Sequence, residues 1–240
     1  MYVVLPNLLL APNDPDLLKF LSLHHTSPQI IFNSLAQDRR RLQTILPPYL
    51  DEPWAKNVKQ TLAELVPLLS MRESACLRSL PGCRKQRKHT DYDALATKQC
   101  TVKPHSLLIA ISPGTKLHLW PKDGEEGGGR EEVVELSPGD GILFRGDTVH
   151  AGASYAQENV RLFAYLDSPE LEREPNRTYF PPKVWCYCQK PDDHEVYVEC
   201  HGKKRCPFGG WVHVKCLAHS EHVQDEQPFW CTRCAKKSPH

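Results

Sequence analysis

Cysteine is concentrated at one end of this chain. The sequence has 10 cysteines in 240 residues, and seven of them lie between Cys186 and Cys234. Evenly spread cysteines in a secreted protein would indicate disulfides, whereas close pairs interleaved with histidine are typical of zinc sites in a reducing, intracellular compartment. A segment this small has too little apolar content to fold alone, so metal binding is expected to drive its folding.

The spacing of the ligands predicts two zinc ions. Eight potential ligands are the number that two tetrahedral sites require, and each close pair can chelate from one turn. Alternate pairs can then share one ion. The first predicted set is Cys186, Cys188, His213 and Cys216, and the second is Cys200, Cys206, Cys231 and Cys234.

The order of these ligands, with histidine in fifth place, resembles that of PHD fingers and differs from that of RING fingers. The resemblance covers residues 184–235 and includes Trp211, an aromatic residue two positions before His213. The loop between Cys206 and His213 is longer than usual for this family. A ubiquitin ligase is therefore a weaker alternative than a PHD-type zinc finger.

This resemblance implies a reader of methylated histone tails. Many PHD fingers bind methyl-lysine in an aromatic cage, because a quaternary ammonium is weakly hydrated and favours π faces. The cage positions of such fingers correspond here to Tyr197 and Trp211, and Asp192 and Asp193 could bind a basic side chain of the tail. The alternatives are that Trp211 packs on the zinc core and that Tyr197 faces solvent.

The middle of the chain, residues 76–168, has the sequence pattern of a β domain. Short apolar runs alternate with turn-forming Gly, Pro and Asp residues, which predicts an antiparallel sandwich or barrel. The predicted strands are Ser106–Ser112, Lys116–Trp120, Glu132–Leu136, Gly141–Phe144 and Val160–Leu166.

Two further segments flank this β domain. Residues 1–75 are predicted to form an N-terminal helical support region, with apolar residues at helical spacing over Asn57–Leu69. Pro67 is expected to kink or end that helix. Residues 169–183 are polar and rich in proline, which predicts a linker.

A possible metal site lies inside the β domain. His89 and Asp91 are two residues apart, and such residues share one face of a strand. His150 follows about 60 residues downstream, and Arg161 lies in a predicted apolar strand where a guanidinium needs a partner. Two histidines and one carboxylate leave open positions on a ferrous ion, and a guanidinium offers a planar fork to a carboxylate. The alternative is a surface His89–Asp91 pair with an unrelated loop histidine at position 150.

This constellation resembles the Fe(II)/2-oxoglutarate dioxygenases from residue 76 to residue 167. The resemblance implies an α+β protein with a double-stranded β-helix (jelly-roll) core. It also implies that His89, Asp91 and His150 bind iron and that Arg161 binds the distal carboxylate of 2-oxoglutarate. Such an enzyme would consume molecular oxygen, release succinate, and hydroxylate or demethylate its substrate.

Four residues near this motif are candidates for the pocket. The run PGCRKQRKHTDY resembles the first metal-bearing strand of the same family, and it contains Gln86 and Tyr92 on either side of the ligand pair. His118 and Trp120 lie on a predicted strand near the pocket. Contacts of these four side chains with the cosubstrate or substrate are the hypothesis, and ordinary sheet or surface positions are the alternative.

Together these features predict a two-domain nuclear oxygenase that a PHD finger targets to chromatin, with Fe(II), 2-oxoglutarate and two Zn(II) as cofactors. Thirty Lys and Arg against 29 Asp and Glu give a formal net charge of +1, so charge does not indicate a nucleic-acid partner, although one stays open. No membrane association is expected, because no run approaches the ~18 apolar residues that span a bilayer. A non-catalytic chromatin reader with an inactive dioxygenase-like scaffold is the alternative.

Overall fold

The computed structural model describes residues 2–24, 29–30, 39–121, 130–171, 173, 179, 197–201, 206, 211–213, 216, 230–231 and 234. The chain divides into two compact units, and the sequence passes from the first to the second at Pro181–Pro182. No helix among these residues is long and apolar enough to cross a membrane.

Ten strands among the described residues form the sheets of the first unit. They are β1 (Tyr2–Leu5), β2 (Gln29–Ile30), β3 (Arg41–Leu46), β4 (Ser70–Ser79), β5 (His105–Ala110), β6 (Thr115–Trp120), β7 (Glu132–Leu136), β8 (Gly141–Arg145), β9 (Val149–Gly152) and β10 (Asn159–Asp167). Seven of them make a large sheet in the order β1-β8-β5-β10-β4-β3-β2, and three make a small sheet in the order β7-β6-β9. All the strand pairs are antiparallel.

The two faces of the large sheet bury different partners. Strand residues alternate between faces, so Leu107 and Ile109 of β5 pack in one cluster while Leu108 and Ala110 pack in another. The first cluster also contains side chains of the helices, such as Leu17 and Leu62. The second contains side chains of the small sheet: Leu117, Leu119 and Leu136. The unit is therefore a sandwich of a large and a small sheet, with helices on the outer face of the large one.

In the described part of the chain, three α-helices accompany these sheets: α1 (Pro15–Leu23), α2 (Lys56–Leu65) and α3 (Ala94–Gln99), with a short 3-10 helix at Pro53–Ala55. Helix α1 begins where the carboxylate of Asp14 accepts hydrogen bonds from backbone N–H groups of the first turn, and Asp93 does the same for α3. Helix α2 confirms the predicted helix. It ends at Leu65, two residues before Pro67, as expected because proline has no backbone N–H to donate to the helix.

The predicted helical character of residues 1–75 is wrong for much of that region. Strands β1 and β3 and the first part of β4 lie within it, and all three belong to the large sheet. Polar residues concealed β3, because Arg41 and Thr44 are buried although they are not apolar. The five strands predicted between Ser106 and Leu166 are all present as β5, β6, β7, β8 and β10.

Part of the predicted linker packs on the first unit. Arg173 is buried, forms an ion pair with Glu73 at 2.7 Å, and lies 3.5 Å from the ring centre of Tyr165. The carboxylate of Glu170 accepts hydrogen bonds from the backbone N–H groups of Thr101 and Val102. A buried guanidinium is destabilising unless it is paired, and Glu73 is that partner for Arg173. These contacts hold the segment after β10 in place.

The second unit contains a short antiparallel hairpin. Its strands are β11 (Tyr197–Glu199) and β12 (Trp211–His213), with Tyr197 opposite His213 and Glu199 opposite Trp211. Val212 is buried against a cluster of four cysteines. Among the described residues of this unit, the buried core consists of these four cysteines and Val212, which fits the expected dependence on metal.

Candidate active site

Two stretches of chain meet to bring three polar side chains together. His89 and His150 exchange backbone hydrogen bonds in an isolated β-bridge, with N···O distances of 3.0 and 2.9 Å. The backbone N–H of Asp91 donates to the carbonyl of Gly146, at 3.1 Å, in the turn between β8 and β9. The segment around His89 is thus held by isolated bridges, which corrects the prediction of a regular strand there.

His89, Asp91 and His150 converge on one point. One ligand atom from each of the three lies within 4.8 Å of the other two, and His150 Nε2 is 3.5 Å from Asp91 Oδ2. Each residue is only 3 to 4% exposed, so this is not a surface ion pair. The spacing matches what three protein ligands on one face of a metal ion require.

Hydrogen bonds fix the orientation of the two imidazoles. Nδ1 of His89 lies 2.8 Å from the carbonyl oxygen of Arg87, and Nδ1 of His150 lies 3.0 Å from that of Thr148. A carbonyl can only accept, so each Nδ1 carries the proton and the lone pair of each imidazole is on Nε2. The hydroxyl of Ser106 donates to Asp91 Oδ2 at 2.6 Å and orients the carboxylate in the same way.

The electrostatics of the three groups suit a cation. Burial and the neighbouring His150 lower the pKa of His89 to about 3, and burial lowers the pKa of His150 to about 4. Both imidazoles are therefore neutral at pH 7, which is the form in which histidine can bind a metal ion. Burial raises the pKa of Asp91, since a desolvated carboxylate lacks the compensation that a bound cation supplies. The donor set of two neutral nitrogens and one carboxylate fits ferrous iron.

A buried arginine lies in the same cavity. The cavity is lined by Gln43, Ala75, Leu77, Gln86, His89, Asp91, Leu108, Leu117, His150, Gly152, Arg161, Phe163 and Tyr165. Arg161 is 2% exposed, and its guanidinium donates to Asn159 Oδ1 and Ser79 Oγ, both at 3.0 Å. Because its hydrogen-bond acceptors are neutral, the buried charge favours an anion, and a carboxylate matches its planar fork.

The other predicted pocket residues have mixed positions. Gln86 lines the cavity, and its side-chain oxygen accepts from the backbone N–H of Gly152 at 2.8 Å. Tyr92 is buried but donates its hydroxyl to Asp167 at 2.7 Å. His118 stacks on Trp120, and its Nδ1 lies 2.6 Å from Glu131. These contacts fit the alternative that His118 and Trp120 are ordinary residues of the small sheet.

Three residues that hydrogen-bond to side chains of the site were not predicted from the sequence: Asn159, Ser79 and Ser106. Asn159 precedes Arg161 by two residues on one strand, and that spacing alone could have indicated it. Ser79 and Ser106 have no local signal, because they are 82 and 15 residues from the groups they contact. Strand pairing brings them there.

Comparison with known structures identifies the fold. The α-ketoglutarate-dependent non-haem epimerase SnoN superposes with a TM-score of 0.53 and 16% identity, over 75% of this chain and 89% of SnoN. The α-ketoglutarate-dependent non-haem carbocyclase SnoK gives 0.50 and 14%, over 69% of this chain and 79% of SnoK. The first unit has the jelly-roll fold of the Fe(II)/2-oxoglutarate oxygenases.

A prolyl-4-hydroxylase from Pseudomonas putida is also similar, with a TM-score of 0.49 and 14% identity over 70% of this chain and 92% of that protein. No protein-family model and no curated protein sequence matches the chain. The likeness therefore lies in the fold, and the local chemistry of the site has to carry the functional argument.

A second candidate metal site lies in the C-terminal unit. The sulfurs of Cys200, Cys206, Cys231 and Cys234 lie within 4.8 Å of one another, and all four residues are buried. The Sγ atoms of Cys206 and Cys231 are 3.8 Å apart, and no disulfide joins these cysteines. Four thiols around one point are the donor set of a tetrahedral zinc site.

The remaining predicted residues of this unit are only partly described. Cys186, Cys188, Asp192 and Asp193 lie outside the described residues, and Cys216 is half-buried. His213, Tyr197 and Trp211 are described through their backbone, which places them in the β11–β12 hairpin. The first zinc site and the aromatic cage therefore stay predictions.

Proposed function

We propose that this protein is an Fe(II)- and 2-oxoglutarate-dependent dioxygenase. The observation that carries the proposal is the convergence of His89, Asp91 and His150 in a cavity that also holds the buried Arg161. The jelly-roll fold supports it, since the same architecture is present in the α-ketoglutarate-dependent SnoN and SnoK.

Each residue has a role in this proposal. His89 Nε2, His150 Nε2 and a carboxylate oxygen of Asp91 would hold the iron, and Arg161 would bind the distal carboxylate of 2-oxoglutarate. A bound iron would supply the activation of molecular oxygen, with two electrons from conversion of 2-oxoglutarate to succinate and carbon dioxide and two from oxidation of the substrate. Leu108, Leu117 and Phe163 line the cavity with apolar surface, and this excludes water from the reacting groups.

Loss of the arginine should act mainly on the cosubstrate. Arg161→Met is expected to weaken 2-oxoglutarate binding about 100-fold, because it removes a buried charge partner of the carboxylate. Calorimetry of the Mn(II)-loaded chain measures that binding, and succinate release measures turnover. Arg161→Lys keeps the positive charge but lacks the planar guanidinium, so its affinity for 2-oxoglutarate should fall less than that of Arg161→Met. Unchanged 2-oxoglutarate affinity in Arg161→Met would contradict the assignment.

For the C-terminal unit we propose a PHD-type finger with two zinc ions. The buried cluster of Cys200, Cys206, Cys231 and Cys234 supports the second zinc site. A finger that binds a methylated histone tail would raise the effective concentration of the oxygenase at chromatin without taking part in the chemistry. A nuclear location and a chromatin-associated substrate follow from that proposal.

Binding of methylated histone-tail peptides is tested with a substitution in the zinc finger. Trp211→Ala is expected to weaken binding of methylated histone-tail peptides about 10-fold through loss of a cation–π contact. A peptide array followed by fluorescence polarisation on the full chain measures this, and zinc content should stay at two ions per chain. Loss of zinc in Trp211→Ala would show that the side chain belongs to the core.

A further inference from the structure

Arg41 is a second buried arginine next to the cavity. It lies at the start of β3, is 2% exposed, and is among the largest fully buried side chains of the described residues. A buried guanidinium is costly unless hydrogen bonds compensate it, so its partners show what it holds in place.

The guanidinium of Arg41 bonds to three separate parts of the first unit. Its Nε donates to the carbonyl of Arg84 at 3.2 Å, and its Nη1 donates to Ser79 Oγ at 3.2 Å. Its Nη2 donates to the carbonyls of Gly152 and Ala153 at 3.3 and 2.5 Å. One rigid group thus joins the end of β4, the segment before His89 and the strand that carries His150.

These partners lie directly beside the candidate site. Arg84 is five residues before His89, and Gly152 is two residues after His150. Ser79 accepts from both arginines, since its Oγ is 3.2 Å from Arg41 Nη1 and 3.0 Å from Arg161 Nη2. The oxygen of Ser79 therefore connects Arg41 to the group proposed to bind 2-oxoglutarate.

Close packing around Gly152 supports this arrangement. A Cβ atom added at Gly152 would lie 2.5 Å from Gln86 Oε1 and 3.0 Å from Arg41 Nη1. The backbone N–H of Gln86 also donates to the carbonyl of Gly152 at 2.9 Å. The two metal-bearing segments meet here with no room for a side chain, and Arg41 binds both.

We propose that Arg41 is a positioning residue that fixes the distance between the segments of His89 and His150 and orients Arg161 through Ser79. This deepens the proposed function and rests on it. Supporting partners that orient metal ligands typically contribute 10- to 100-fold in metal affinity or activity. Arg41 is predicted to set the affinities for both metal and 2-oxoglutarate.

Two variants separate the two connections. Arg41→Lys keeps a positive charge but loses the planar fork, and it should weaken Mn(II) binding and 2-oxoglutarate binding about 10-fold each. Ser79→Ala removes only the shared hydroxyl, and it should weaken 2-oxoglutarate binding about 10-fold with unchanged Mn(II) affinity. Arg40→Lys is the matched control, because Arg40 is exposed and bonds to the carbonyls of Pro81 and Gly82.

Binding is measured without turnover, on the zinc-loaded full chain. Electron paramagnetic resonance of free Mn(II) gives the metal affinity, because Mn(II) competes poorly with zinc for thiolates. Calorimetry of the Mn(II)-loaded chain then gives the affinity for 2-oxoglutarate. At saturating iron and 2-oxoglutarate, turnover of Arg41→Lys should approach that of the unmodified chain, as expected when an interaction serves binding rather than the chemical step.

The outcomes are distinguishable. Weaker binding in Arg41→Lys and Ser79→Ala, with Arg40→Lys unchanged, would support the proposal. If Arg41→Lys does not fold, unchanged 2-oxoglutarate affinity in Ser79→Ala still overturns the proposal. Affinities of Arg41→Lys for Mn(II) and 2-oxoglutarate that equal those of the unmodified chain would also overturn the proposal. An unmodified chain that binds neither Mn(II) nor 2-oxoglutarate would overturn the proposed function itself, and the role of Arg41 with it.

Discussion

Replacing His89 with alanine is expected to remove Fe(II) binding at the first unit and to abolish iron-dependent succinate release. His89 is one of the three histidine and aspartate groups that come together here among the described residues, and because its Nδ1 lies against the carbonyl of Arg87, its Nε2 is the expected ligand atom. Loss of a supporting partner around a metal already costs 10- to 100-fold. Loss of a ligand should therefore lower turnover by more than about 100-fold.

Two readouts distinguish this effect from unfolding. Iron content per chain and succinate release are measured on the full chain, and circular dichroism checks that the sheets persist. His118→Ala is the matched control, because His118 bonds to Glu131 and stacks on Trp120 rather than facing the cavity. Full turnover in His89→Ala, or equal losses in both variants, would contradict the assigned ligand set.

Replacing Cys231 with serine is expected to release one zinc ion and unfold the C-terminal unit. Structural zinc contributes about 10–16 kcal/mol in small metal-dependent modules, which is as large as the whole stability of a typical domain. The four buried sulfurs provide most of the described core of this unit, so little would remain to hold the β11–β12 hairpin.

The measurement is zinc content together with proteolysis of the C-terminal unit. Cys100→Ser provides the control, because Cys100 is a buried cysteine of the first unit whose thiol donates to the carbonyl of Ala96. That control should keep all its zinc. Iron and 2-oxoglutarate binding should persist in Cys231→Ser. A folded, protease-resistant C-terminal unit without this zinc would contradict the metal-dependent fold.

The strands of the first unit could be predicted where apolar residues dominate them. Glu132–Leu136 and Val160–Leu166 are short, contain β-branched or aromatic residues among apolar ones and are bounded by turn formers, and both are strands in the structure. Strand β4 escaped prediction, because its sequence SMRESACLRS mixes charged and apolar residues and follows a helix closely. Tertiary pairing with β10 and β3 decides its conformation.

The candidate site was predictable to the extent that its residues are chemically distinctive. His89 and Asp91 have the spacing of a metal-ligand pair, and Arg161 is a charged residue within an apolar strand, where a guanidinium needs a partner. Ser79 and Arg41 gave no such indication, because their importance depends on contacts that only the folded sheets create. Local sequence thus indicates the chemistry of a site more readily than the residues that position it.

The central claim is that His89, Asp91 and His150 bind one iron ion. Crystals of the full chain grown anaerobically with Fe(II), measured on either side of the iron absorption edge, test this most directly. We expect an anomalous peak within bonding distance of both Nε2 atoms and of a carboxylate oxygen of Asp91. A peak elsewhere in the first unit, or a fully loaded iron ion that leaves any of these three residues unbound, would contradict it.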